Sequence, residues 1–467
     1  MRAIEGNMDN NLRRLGWTEQ FLWRIDKCAS LNFVIVAKVT GQTFDKDLLT
    51  QAFAASIRRH PFLGVVVAAD EVPTFMGANR SAPVHVFEEG DVSWHKVVED
   101  ELNSPFREGD QSLARLAVVR GSEESHLILT LHHSISDGTS GPLAMAAILE
   151  SVSALVQGRE PFAKHGAVPA SLEEAIRTRI RGIKGFVRLF AFVIRNLLSL
   201  VFRKPRRLVP AALSYQEHRR TRVRPEILEP NATRALVERC REERTTVHGA
   251  ICAAVLQATA EIIRSEQRRT GPIQIWCGSP VDMRRGLGLE PSVACYVSGI
   301  TTSHRISPDA KFWDLARDVR DRVRRATARE EALLTLPLQA RMLPKGKAPD
   351  ETLRKIERNF PIAVAVTNIG RVDLPEHYGA LTLRQVHFAG PASPPGNPLV
   401  IAVATFRDLM SLDFVHVEPS LAADRIDPLI DRVIQLLQEA AIGPAATSAA
   451  IDQKRNGAPK GVAPTLS

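Results

Sequence analysis

The chain has 467 residues, 44% of them apolar and 24% charged, with a formal net charge of +9. That size predicts two or three domains with ample core material, and the composition excludes global disorder, a collagen-like repeat and a coiled-coil rod. Five widely spaced cysteines with no CxxC pair argue against a disulfide framework or structural zinc and for a reducing, cytoplasmic setting.

The opening MRAIEGNMDNNLRRLG has no apolar core after its charges, so no secretory signal is expected. Residues 29–40 (ASLNFVIVAKVT) read as a strand and 45–59 (DKDLLTQAFAASIRR) as a helix, followed by strand-like 61–69. Two further strands, 114–120 and 126–133, flank the turn-forming 121–125, and 143–156 reads as a helix. The polar, Gly- and Pro-punctuated 157–170 closes a first domain, assigned to residues 1–165.

Residues 166–224 read as a basic crossover. Between Ala175 and Pro210 stand ten basic residues and no acidic ones; removing them leaves 51 basic against 52 acidic in the rest of the chain. One segment therefore carries the whole charge excess, which does not resemble the folded basic face of a nucleic-acid binder. Wound as one helix at about 100° per residue, Arg177, Arg181, Lys184, Arg188 and Arg195 form one stripe. Ile183, Phe186, Phe190, Val193, Leu197, Leu200 and Val201 lie opposite, and Pro205 ends the helix. Such a helix lies flat on an anionic membrane, at the inner face of the cell membrane for a cytoplasmic protein. The competing reading packs its apolar side on the protein's own core with the arginines solvated. Arg188 and Arg195 argue against a span. An acidic carrier protein is a second partner for the stripe.

The second half, 225–442, opens with helices at 231–242 and 246–264. Strands follow at 273–278, 361–367, 399–406 and 409–417, and a helix at 423–439. The Ala/Gly/Pro/Ser-rich 443–467 reads as a disordered tail.

The sharpest local feature is His132-His133-Ser134-Ile135-Ser136-Asp137-Gly138, after the apolar run 126–131. Adjacent strand histidines point to opposite faces, and no carboxylate cluster lies nearby, so a metal site is not expected. The pair is either a structural feature of a strand end or a general base, since an imidazole titrates near neutrality. By spacing alone Asp137 could orient the histidine as in a hydrolase triad. No GxSxG elbow accompanies it.

The motif HHxxxDG resembles that of the condensation-domain superfamily, whose fold is chloramphenicol-acetyltransferase-like. Trp17-Thr18-Glu19-Gln20, Arg59-His60-Pro61, Pro280-Val281-Asp282-Met283-Arg284 and Thr367-Asn368-Ile369-Gly370 follow the family's elements in order. The likeness is greatest to stand-alone alcohol acetyltransferases and polyketide-associated acyltransferases. It implies an α/β fold of two lobes, mixed sheets flanked by helices, with a channel between them. The second histidine, His133, would be the base, and Asp137 would pair with Arg284, with Arg285 as the adjacent competitor. Thr367, Asn368 and the Gly138 amide are candidates for steadying an oxyanion. No permanently bound cofactor is implied. The co-substrate would be an acyl-CoA or acyl-carrier-protein thioester and the acceptor a hydrophobic alcohol of lipid or polyketide type. Amide formation and non-catalytic acyl or carrier binding are the alternatives. DFGWG and the wax-synthase ND element are absent, the second replaced by Thr246-Val247-His248-Gly249-Ala250.

Overall fold

The computed structural model describes residues 11–41, 44–68, 72–78, 83–106, 112–162, 165–180, 182–208, 218–341, 351, 362–391 and 399–442. The expected tail and Arg181 lie outside the described residues.

In chain order the first half holds β1 (Asn11–Arg14), α1 (Trp17–Asp26), β2 (Asn32–Thr40) and α2 (Lys46–Arg59). A short 3-10 turn, Pro61–Gly64, leads into β3 (Val65–Ala68), β4 (Thr74–Gly77), β5 (Val84–Glu88) and α3 (Trp94–Asn103). Then come β6 (Ala114–Arg120), β7 (Glu124–His132) and α4 (Ser140–Val156). The crossover contains α5 (Leu172–Ile180) and α6 (Gly182–Arg203). The second half begins with β8 (Arg220–Leu228), α7 (Pro230–Glu242), α8 (Val247–Glu266), β9 (Ile273–Asp282) and α9 (Arg284–Leu287). It continues with β10 (Val297–Ile306), α10 (Phe312–Ala328), α11 (Glu331–Arg341), β11 (Val364–Arg371), β12 (His377–Tyr378) and β13 (Leu381–Ala389). β14 (Leu399–Phe406), β15 (Leu409–Glu418) and α12 (Ala423–Ile442) complete it.

Two six-stranded mixed sheets organise the molecule. The first runs β12-β13-β2-β7-β6-β5 and the second β10-β9-β11-β14-β15-β8; a small β1-β4-β3 sheet stands apart. β2 shows why the first sheet is central. Its Phe33, Ile35, Ala37 and Val39 enter the core shared with α2 and α4, through Leu49, Phe53, Ala144 and Ile148. The alternate Val34 and Val36 enter a second apolar layer with Val400, Val415 and Val417 of the other sheet. Burial on both faces explains the uninterrupted apolar run that marked this strand in the sequence. The second sheet packs on α7, α8, α10 and α12 through Leu236, Leu256, Val319 and Val433.

The halves are not separate in space. β13, from the second half, pairs antiparallel with β2, Val386 opposite Ala37 and Ala389 opposite Val34. The first sheet draws two strands, β12 and β13, from beyond residue 225, and β8 (Arg220–Leu228), in the second sheet, runs across that residue.

The basic crossover differs from a single helix. Gly182 takes φ +83°, a left-handed conformation open to glycine, and α5 and α6 meet there. Arg177 is thereby separated from the stripe of Arg188 and Arg195.

Candidate active site

β7 lies between β2 and β6, with His132 opposite Asn32 at its last rung. The strand ends one residue before the expected His133, which begins the loop to α4. His132 follows the face of His126 and is fully buried. The Ser134 N–H donates to His132 Nδ1 at 3.0 Å, with the Ser134 hydroxyl 2.7 Å from the same atom. Nδ1 is therefore an acceptor, and the ring proton sits on Nε2, 3.6 Å from Asp26 Oδ1. Trp23 and Phe106 close around the ring. His132 anchors the loop rather than facing a reactant.

His133 keeps accessible surface where both neighbours have none. Its backbone N–H donates to the Leu31 carbonyl at 3.0 Å, tying the loop to the start of β2. Its Nδ1 lies 2.7 Å from the Ser136 carbonyl oxygen. A carbonyl only accepts, so Nδ1 carries the proton and Nε2 keeps its lone pair. Desolvation pushes the imidazole pKa below 6.5, against the opposing pull of the Ser136 carbonyl and Asp137. The ring is neutral near pH 7 and able to take a proton. Ser136 fixes this geometry, since its hydroxyl donates back to the His132 carbonyl at 3.1 Å.

Asp137 does not polarise that ring. Its Oδ2 meets Arg284 Nη1 at 2.7 Å and accepts the Tyr296 N–H at 2.8 Å. Its Oδ1 accepts the Ser140 N–H and hydroxyl at 3.0 and 2.8 Å, capping α4. Arg284 is equally committed, with Nη1 also on Asp282 and Nη2 on the Ser292 and Ala294 carbonyls. Both side chains are buried, and burial of the guanidinium is offset by Asp137 and Asp282, which leave its pKa raised. Arg285 is exposed, which separates the two arginines that the sequence left open.

This pair fastens the loop to the second half of the chain. The Thr139 hydroxyl donates to Asp282 at 2.9 Å, and the Ser140 oxygen accepts the Ala294 N–H at 3.1 Å. Gly138 faces β11 so closely that a Cβ there would lie 2.6 Å from Ile369 Cγ2. The glycine is required by that approach. Its amide has no acceptor among the described residues and remains available. Across from it β11 is bulged between Asn368 and Gly370, where Gly370 has φ +74°. Asn368 Oδ1 accepts the Gly370 N–H at 2.7 Å, so that oxygen shapes the bulge; Thr367 is partly exposed.

The crossover stripe lies apart from this centre. Arg188 pairs with Glu330 at 2.6 Å and Arg195 with Glu331 at 2.8 Å, so α6 docks on the protein by its basic side. Arg177 is exposed, and Lys184 lies early in α6. Sequence reasoning named the motif but missed Ser134, Ser136, Ser140, Asp26 and Tyr296. Ser140, three residues past Asp137, carries the spacing of a helix cap and could have been found. Tyr296 acts through its backbone and leaves no signal.

Known proteins resemble this chain in sequence and fold. Residues 27–166 match the model described as Condensation domain, and residues 216–415 the one described as Phthiocerol/phthiodiolone dimycocerosyl transferase C-terminus. The chain is 26% identical over 248 residues to cyclosporin synthetase of Tolypocladium inflatum, covering 50% of this chain and 2% of that protein. It is 26% identical over 344 residues to a linear gramicidin synthase of Brevibacillus parabrevis, 68% of this chain and 6% of that protein. The chain thus spans a small part of these relatives' length. Polyketide synthase associated protein 5 from Mycobacterium tuberculosis aligns over 92% of this chain and 98% of its own, with TM-score 0.64 and 18% identity. Trichothecene 15-O-acetyltransferase from Fusarium sporotrichioides covers 92% and 95%, with TM-score 0.70 and 12% identity. A solved condensation domain of the calcium-dependent antibiotic synthetase covers 93% and 97% at 0.68 and 16%. The first half of the chain thus matches the Condensation domain and the second half the phthiocerol/phthiodiolone dimycocerosyl transferase C-terminus, in order, and the whole has the two-lobe architecture of the condensation domains and acetyltransferases it superposes on.

Proposed function

We propose that the protein is an acyltransferase that moves an acyl group from an acyl-CoA or carrier-protein thioester to the hydroxyl of a hydrophobic acceptor. The observation that carries this reading is the His133 ring, held by the Ser136 carbonyl with its Nε2 lone pair free at the junction of the two halves. Nε2 takes the hydroxyl proton as the acceptor oxygen attacks the thioester carbonyl. The tetrahedral intermediate collapses, the carbon–sulfur bond breaks, and Nε2–H returns the proton to the departing thiolate. The products are an ester and a free thiol, with no acyl-enzyme. The unpaired Gly138 amide is the donor best placed for the developing oxyanion. The acceptor is presented at the cytoplasmic side of a membrane.

The condensation-domain match over residues 27–166 favours a second reading, in which an amine replaces the alcohol and an amide forms. Mass spectrometry of products from a panel of acyl-CoAs offered with matched alcohols and amines separates the two. Ester alone is expected; amide alone selects the second reading, and neither product with any donor removes acyl transfer.

The base must be neutral to work. Desolvation lowers the His133 pKa, so the acid limb of kcat/KM is expected at a midpoint below 6.5, activity falling as pH drops through it. A limb above 6.5 in the pH–rate profile would contradict a desolvated base.

A further inference from the structure

Helix α6 is amphipathic, and it is mounted the opposite way from a helix packed on a core. Its basic side is tied to Glu330 and Glu331, while Ile183, Phe186, Phe190, Leu197, Val201 and Phe202 face outward, Ile183 84% and Phe202 77% exposed. Residues Gly185–Phe202 are apolar and long enough to cross a bilayer. Both ends nevertheless return to the same body. Ile176 of α5 is buried against Met283 and Tyr296, and Leu208 beyond α6 is buried in the second core. The helix is strapped flat along the surface, about 33 Å long at 1.5 Å per residue.

At its C-terminal foot a different set of residues converges. Lys204, Arg206, Arg269, Arg305 and Arg322 line one depression of about 640 Å³ beside Phe202, and no carboxylate among the described residues lines it. The fold gathers them from four segments. The Arg206 N–H donates to the Gln274 carbonyl at 2.7 Å, and Arg305 stands opposite Gln274 in the β9–β10 ladder. Arg269 ends the turn after α8, and Arg322 comes from α10. Arg322 is held by Asp318; among the described residues no carboxylate pairs with Lys204, Arg206, Arg269 or Arg305. Unpaired cations kept together repel one another unless an anion joins them. Eight residue steps along β9 lead from Gln274 to Asp282 at the motif loop, roughly 26 Å at 3.3 Å per residue, so the depression is remote from His133.

We propose that this depression is a binding site for the phosphate headgroups of anionic phospholipid, and that it works with the outward face of α6 as a membrane-docking surface. The proposal deepens the reading of a hydrophobic acceptor delivered at a membrane, and rests on it only for its purpose. The apolar face enters the acyl boundary, and the cluster at its foot meets the phosphates.

The full chain is to be floated with phosphatidylcholine vesicles and with vesicles containing phosphatidylglycerol. Preferential binding to the second is expected. Arg269→Gln/Arg305→Gln should weaken it about 25-fold, near fivefold per cation removed, without changing turnover of soluble substrates. Phe186→Ser/Phe190→Ser should abolish binding to both. Equal binding to neutral and anionic vesicles, unmoved by the arginine substitutions, overturns the headgroup site. A concentration-dependent dimer dissolved by Phe186→Ser/Phe190→Ser assigns the face to a second copy and overturns the membrane. A raised KM for soluble acyl-CoA in the arginine variant, with vesicle binding intact, assigns the cluster to the donor instead. Vesicle binding is read without turnover, so loss of the acyl-transfer reading leaves this result standing.

Discussion

His133→Ala is expected to lower turnover by about 10²–10⁴-fold while the protein stays folded. The loss follows from the ring's place. It is the one imidazole of the motif with accessible surface, and its tautomer leaves Nε2 free. The fold should survive because the loop has other anchors. His132 holds Ser134, the Ser136 hydroxyl holds the His132 carbonyl, and Asp137 holds Arg284. Steady-state rates by product mass spectrometry, alongside a thermal melt, check both halves of the statement. Turnover within tenfold of the parent chain would remove His133 as the base.

Arg284→Ala is expected to destabilise the protein by about 3–5 kcal/mol, the usual result of stranding one partner of a buried pair. Asp137 would keep the Ser140 and Tyr296 donors but lose its only cationic partner among the described residues. The same change would leave the Ser292 and Ala294 carbonyls short of donors and loosen the motif loop. Chemical denaturation measures the cost. Asp137→Asn tests the role independently. It should lower the melting transition and move the acid limb of the pH profile only slightly, to lower pH, because the carboxylate acts on the imidazolium through space while its hydrogen bonds hold the loop. A displaced limb at unchanged stability would restore a triad-like role.

Much of the fold was legible where local pattern and tertiary role agree. β2, α2, β6, α7, β14 and α12 announced themselves because a strand buried on both faces is continuously apolar and a surface helix repeats near every fourth residue. β8 and β13 did not. RTRVRPEIL is dominated by charge and contains proline, which an edge strand tolerates. LTLRQVHFA finds its place only through a partner about 350 residues away in the chain. The site divides in the same way. His133, Asp137 and Arg284 were readable through the ordered motifs, whereas the Ser136 carbonyl on His133 and the Tyr296 N–H on Asp137 are backbone groups that every residue possesses. The crossover departs from its helical wheel in two ways: Gly182 breaks the winding the wheel assumes, and the glutamates at the start of α11 hold the arginines Arg188 and Arg195 against the protein.

The entry of β13 into the first sheet has a consequence for how this protein is made. An emerging polypeptide cannot complete its leading sheet until nearly four hundred residues have been joined, because β2 waits for a neighbour encoded near the far end. Until then it presents an open, strongly apolar border of the kind that invites wrong associations. The lobes are therefore a single cooperative unit, and neither is an autonomous module to be cut out and grafted elsewhere.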